Sequence, residues 1–138
     1  MYDVLLVGID GSDGSNRAIE HGLALARDYD ATLYVLSVVD TTRYGEPALS
    51  SAELVIDELE DRAHELLAGV VDRAEEVDVP VEIQSRHGDP HEQIAAYADE
   101  IDADLTILGA QGQTHSRAEL GSVADRVVHA IERPIMLA

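Results

Sequence analysis

The chain has 138 residues, 46% of them hydrophobic, and no cysteine. That suits one globular domain spanning residues 1–138 and excludes disulfides and thiolate metal sites. It carries 28 acidic against 9 basic residues, a net charge of −19, and every basic residue is an arginine. Such a surface has little to neutralise a nucleic-acid backbone. No apolar run reaches membrane-spanning length, and no basic stretch precedes an apolar one at the start. A soluble cytoplasmic protein without nucleic-acid or membrane partners is expected. A compact body so charged repels itself at low ionic strength, and at 1 M salt a Debye length of about 3 Å screens most of that repulsion. The acidic balance therefore points to a salt-rich, halophilic cytoplasm.

In chain order, Val4-Leu-Leu-Val-Gly-Ile9 is a continuous apolar run, as in a parallel strand buried on both faces. Asp10-Gly-Ser-Asp-Gly-Ser15 follows as a tight turn with candidate N-caps. A helix then runs to about Asp28, with a small-residue stripe at Ala18, Gly22 and Ala26 that can lie close on a sheet. The second strand is Ala31 to Val38, and a loop from Asp40 to Pro47 follows it. The longest helix runs from about Ser50 to Val77, with a buried stripe of Val55, Leu59, Ala63, Leu66, Val70, Ala74 and Val77. Pro80 opens a third strand, Val81 to Arg86, whose apolar–polar alternation suggests a half-exposed sheet edge. Gly88-Asp-Pro90 turns into a helix carrying Ile94, Ala95, Ala98 and Ile101. A fourth strand (Leu105 to Leu108), a last helix (Val123 to Ile131) and a fifth strand (Pro134 to Ala138) complete the chain.

The alternation of strand and helix predicts an α/β, doubly wound, Rossmann-like parallel sheet of five strands with helices on both faces. Ligands of such sheets bind beyond the C-terminal strand ends, at the switch point. The fourth strand runs into Gly109-Ala-Gln-Gly112, and the loop ends on Gly121-Ser122 at a helix start. Glycines let backbone approach closely, and a helix N-terminus offers free N–H groups and a positive dipole end. Phosphate is the natural guest and a nucleotide the leading ligand. The Asp10 turn and the 109–122 loop meet only if the first and fourth strands are neighbours.

Several motifs, in this order and at these intervals, resemble the universal stress protein family. They are the opening Val-Gly-Ile-Asp-Gly-Ser, the Gly-Asp-Pro-His-Glu-Gln-Ile at 88–94, and Gly-x2-Gly…Gly-Ser followed by a short helix and a Pro-Ile strand. The resemblance covers essentially the whole chain. It implies a strand order of 3-2-1-4-5 and a homodimer built through the C-terminal strand, with a protein partner still to be identified. One branch of that family binds ATP, and its pattern implies the following roles. The Asp10 carboxylate, beside Ile9, would accept hydrogen bonds from ribose hydroxyls. Val38 would meet the adenine edge through its backbone, and Leu108 would pack on the base. Gly109 and Gly112 would let the backbone wrap ribose and phosphates. Gly121, Ser122 and Val123 would present amides, and Ser122 its hydroxyl, to the phosphates. The cofactors implied are ATP or another adenine nucleotide, with Mg²⁺ because no lysine offsets phosphate charge.

Other readings stay open beside these. Asp10 and Ser122 can each serve as a helix cap instead. Arg117 either reaches a phosphate or pairs with a surface acid. His87 and His91 do not have helical metal-ligand spacing, and no metal-binding residue is assigned. His115 and Ser116 lack a nucleophile elbow. The Asp10–Ser15 turn is faintly similar to the phosphate loop of ATP-dependent ligases. Only eight residues separate Gly112 from Gly121, one fewer than in the ATP-binding pattern, and Glu119 precedes the last glycine by two positions. These departures favour the alternative function, a dimeric interaction module of the same fold that binds no nucleotide. No catalytic residue is assigned, and slow ATP hydrolysis is the most enzymatic outcome expected.

Overall fold

A computed structural model describes residues 2–41, 50–110 and 122–138. Strands and helices alternate as β1 (Val4–Ile9), α1 (Asp13–Tyr29), β2 (Thr32–Asp40), α2 (Ser50–Glu76), β3 (Val81–Gly88), α3 (Pro90–Glu100), β4 (Leu105–Leu108), α4 (Ser122–Ala130) and β5 (Ile135–Leu137). The strands form one parallel sheet in the order β3-β2-β1-β4-β5, the order that the resemblance implies. Because β1 is inner and followed first by β2 on one side and later by β4 on the other, right-handed crossovers send the helices to opposite faces.

Strand alternation divides the core accordingly. Leu5, Val7, Ile9, Leu33, Val35, Leu105 and Ile107 pack with α1 and α2. Leu6, Leu36 and Leu108 face Ile94, Tyr97, Ala98, Val127 and Ile131 of and after α3 and α4. Leu5, Leu6 and Val7 are 0% exposed, which accounts for the unbroken apolar run of β1: both faces are covered. Thr106 belongs to the same fully buried layer, and its Oγ1 has no hydrogen-bond partner.

The small-residue stripe of α1 is buried as expected. A Cβ on Gly22 would lie 2.7 Å from Val7 Cγ2, so α1 sits closer to β1 than a side chain there permits. In α2 the expected stripe holds at Ala63, Val70 and Ala74 but takes Leu67 in place of Leu66, and Val55, Leu59 and Val77 are only partly buried. Ala63, Leu67, Val70 and Ala74 are buried, whereas Leu66 is only partly covered. The 4-3-4 spacing that starts at Ala63 centres on Leu67, and Leu66 lies about 100° round the helix. The half-exposed edge character of β3 is present, with Ile83 at 44% exposure, but the expected alternation is incomplete. Arg86 is partly covered because its guanidinium lies 4.6 Å from the centre of the Tyr97 ring and pairs with Glu100. Burial pushes the Tyr97 hydroxyl above its ordinary pKa, with Arg86 pulling the other way.

At the N-terminal ends of the strands, Asp104 ties β4 to β1. Its Oδ2 accepts the N–H groups of Asp3 at 2.8 Å and Val4 at 2.9 Å, while its own N–H donates to the Val4 carbonyl at 2.8 Å. The Val4 and Asp3 N–H groups hold this carboxyl below the usual aspartate pKa. A depressed folded-state pKa stabilises the fold above the unfolded value, about 3.9, and that contribution is lost as pH falls through the lowered folded value. In acid titrations followed by circular dichroism, Asp104→Asn should be less stable than the parent at neutral pH. The difference should stay constant down to about pH 5 and be lost progressively as pH falls through the lowered folded-state value.

Candidate functional site

The first and fourth strands are neighbours, with Val7 opposite Ile107, so the sheet has its switch point at their C-terminal ends. The chain leaves β1 through Asp10 and β4 through Gly109 at this end, and in sheets of this type ligands bind between such loops. Gly109 lies directly on the first turn of α1. A Cβ there would be 2.6 Å from the Gly14 carbonyl carbon and 2.9 Å from both Gly14 Cα and Ser15 N. Backbone rests on backbone, and glycine is required by close approach rather than by a turn.

The turn after β1 is organised around serines. Ser12 is the N-cap of α1, its side chain accepting the Ser15 N–H at 3.1 Å. Ser15 Oγ in turn accepts the Asp10 N–H at 3.1 Å, and Asp10 Oδ1 accepts the Ser12 N–H at 2.9 Å. Asp10 therefore shapes the turn leading to the helix, while the cap itself is Ser12. With Asn16 N–H also bonded to the Ser12 carbonyl at 3.0 Å, the amides of Ser12, Ser15 and Asn16 are already engaged. The Ser12 and Ser15 amides are thus taken up within the turn, which leaves fewer donors for the phosphate-loop role that its faint likeness to ATP-dependent ligases suggested.

The residues singled out from sequence fall as follows. Ile9 is the last residue of β1, 6% exposed and part of the core on the α1 face. Asp10 follows it and is exposed. Leu108, the last residue of β4, is 4% exposed in the opposite core. Both present mainly backbone at the crevice. Val38 is partly buried and packs against that same core. It is not the end of its strand: β2 continues to Asp40, because β3 keeps pairing it through Val39 to His87 and Asp40 to Gly88. Since Ile9 lies opposite Ser37, Val38 is nonetheless one step along, level with Asp10. Val123, in the first turn of α4, packs on the α3/α4 core. Gly112 and Gly121 lie outside the described residues, as do the side chain of Ser122, the loop residues 42–49, and His115, Ser116, Arg117 and Glu119.

The extension of β2 brings one group that the sequence reading placed in a loop. Asp40 ends the strand and adds a carboxylate to this end of the sheet; the continued Val38-Val39-Asp40 run was its only signal. His87 and His91 are held by acids, His87 Nε2 by Glu60 at 2.8 Å and His91 Nδ1 by Asp89 at 2.5 Å. Asp89, His91 and Glu92 bring potential ligand atoms within 4.8 Å of one another. Asp89 is already committed as the N-cap of α3, accepting the His91 N–H at 3.2 Å.

A five-stranded, doubly wound parallel sheet with its switch point between β1 and β4 defines the class: a Rossmann-like α/β protein. The universal stress protein family model matches residues 1–138. A universal stress protein of Methanocaldococcus jannaschii is 34% identical over 99% of this chain and 82% of its own length. Among solved structures, the universal stress protein UspA of Lactobacillus plantarum superposes with a TM-score of 0.84 at 28% identity, covering 99% of this chain and 97% of that one. A universal stress protein solved in complex with cAMP superposes with a TM-score of 0.70 at 25% identity, over 99% and 96% of the two chains. The chain belongs to the universal stress protein family. No helix among the described residues is long and apolar enough to cross a membrane.

The apposition at Gly109 makes a direct test. Gly109→Ala forces a Cβ against backbone that cannot turn aside, and should lower the urea midpoint by an amount equivalent to about 2 kcal/mol or more. Gly69→Ala, where a Cβ meets nothing within 4 Å, is the control. It should stabilise the chain by up to about 1 kcal/mol through helix propensity.

Proposed function

We propose that this protein binds an adenine nucleotide, ATP or AMP, in the crevice over β1 and β4, and acts as a cytoplasmic stress-response homodimer, with residues 1–138 serving as one unit. The observation that carries this reading is the seating of Gly109 on Gly14 and Ser15. It brings the Asp10 turn and the start of the glycine loop to one end of the sheet. There Asp10 would accept from ribose hydroxyls beside the Ile9 backbone. Val38 would offer backbone to the adenine edge and Leu108 its flank to the base. Gly109 and Gly112 would pass close to the ribose, with the amides of Gly121, Ser122 and Val123 directed to phosphate. The likeness to a universal stress protein solved with cAMP supports an adenine ligand. Around Asp10 the described residues bring no three metal-ligating groups together, so a Mg²⁺ would be held chiefly by phosphate oxygens. No side chain is assigned as general base, so any hydrolysis is slow.

For the homodimer, support comes from β5. It is the last strand of the sheet order and has Leu137 at 40% exposure. An edge strand presents unpaired N–H and C=O groups to a second copy. Sedimentation velocity should show a dimer, and Leu137→Arg should shift it towards monomer. A monomeric parent would remove this part of the proposal.

The nucleotide is tested by denaturing the purified protein and resolving released AMP, ADP or ATP by chromatography, then by calorimetric titration in high salt. Binding is expected, and Gly121→Val should abolish it by blocking amide access. Protein that releases no nucleotide and gives no heat would favour the second reading, an interaction module of the same fold. The eight-residue spacing between Gly112 and Gly121, and Glu119 within it, are the observations on that side.

A further inference from the structure

Two glycines show how the start of α3 lies over the outgoing strand ends. A Cβ on Gly8 in β1 would be 2.8 Å from Leu108 Cδ2 and 3.3 Å from Ile94 Cδ1. A Cβ on Gly88, the last residue of β3, would be 3.2 Å from Gln93 Nε2 and 3.6 Å from Gln93 Cγ. Ile94 thus stands over β1 and its neighbour Gln93 over β3, with β2 between the two strands. Gln93 is one turn before Tyr97 on α3, and the contacts repeat at that spacing. Tyr97 meets Arg86, and Gln93 meets Gly88, two residues further along the same face of β3. Val38 is level with Arg86, and Asp40 with Gly88. Val38 itself packs on the α3/α4 core. The Gln93 side chain therefore lies beside the end of β2, on the face where Val38 lies. It is partly buried, and among the described residues its carboxamide has no hydrogen-bond partner.

We infer that the Gln93 carboxamide reads the nucleobase and selects adenine. This rests on the nucleotide reading proposed above, in which Val38 offers backbone to the adenine edge. It goes beyond that reading by naming a side chain that decides between purines. A carboxamide carries an N–H donor and a carbonyl acceptor side by side. Adenine presents the complementary pair on its N7 edge: Nε2 donates to N7, and Oε1 accepts from the 6-amino group. The second hydrogen of that amino group remains for the backbone at Val38. Guanine has an acceptor, O6, where adenine has the amino group, so half of the pair is lost and two oxygens face each other. Gly88 belongs to the same device, because its missing side chain leaves the space that Gln93 occupies.

The test is calorimetric titration of the full chain in high salt with AMP, with 7-deaza-AMP (a C–H replaces N7) and with GMP. AMP should bind roughly tenfold more tightly than either analogue. Gln93→Met keeps the length and bulk of the side chain without its hydrogen-bonding groups. It should weaken AMP to the level of 7-deaza-AMP, so that the gap between them closes. The comparison of nucleotides on the parent needs no variant and stands whether or not Gln93→Met folds. Equal affinity of the parent for AMP and either analogue would overturn the inference while leaving nucleotide binding intact. A gap between AMP and 7-deaza-AMP that persists in Gln93→Met would also overturn it, since another group would then be reading N7. Absence of binding by all three nucleotides would overturn the nucleotide reading itself, and this inference with it.

Discussion

The pairing of β1 with β4 joins segments about a hundred residues apart, and the rest of the architecture follows from it. Placing β4 on the far side of β1 from β2 sends α1 and α2 to one face of the sheet and α3 and α4 to the other. It also sets the switch point at the C-terminal ends of β1 and β4. The pairing is secured at both ends. At the N-terminal end the Asp104 carboxylate gathers the Asp3 and Val4 N–H groups. At the C-terminal end Gly109 lies on the backbone of Gly14 and Ser15. A side chain at 109 would wedge β4 away from α1, so the contact that closes the fold also brings the start of the 109–122 loop beside the Asp10 turn.

The acidic bias reaches into local geometry. Asp30, Asp78 and Asp102 have φ of 56°, 55° and 51°, each close behind a helix. Glycine or asparagine is usual in that left-handed conformation, and a carboxylate there also faces the negative end of the helix dipole. Asp102 is offset by Arg133, which pairs with it at 2.9 Å and with Asp99 at 3.1 Å. That pairing keeps the arginine firmly protonated. A chain that places acids at such positions is less strained where salt screens them.

Much of this was legible in the sequence because it is local or periodic. The unbroken apolar run of β1 announced a strand covered on both faces. Ala18, Gly22 and Ala26 announced a helix lying close on the sheet. Pro80 and the mixed pattern after it announced an edge. The misreadings came where neighbours override pattern. Leu66 and Leu67 are equally apolar, and only the direction in which α2 meets the sheet chooses between them. Val38 reads as the end of a strand until β3 is seen to carry the ladder on to Asp40. Arg86 reads as a solvent-facing residue until Tyr97 arrives beneath it from α3.

By itself the amino-acid order determined the alternation of strand and helix, the charge, and the residue types available to a phosphate, since each depends on composition or on spacing within one element. Only the tertiary structure decided that the Asp10 turn and the Gly109 loop share one end of the sheet. It also decided that Ser12 rather than Asp10 caps α1, and that the Ser12 and Ser15 amides are bonded within the turn. Those outcomes depend on which distant backbone packs against which, a matter of strand adjacency and close approach that no local pattern encodes.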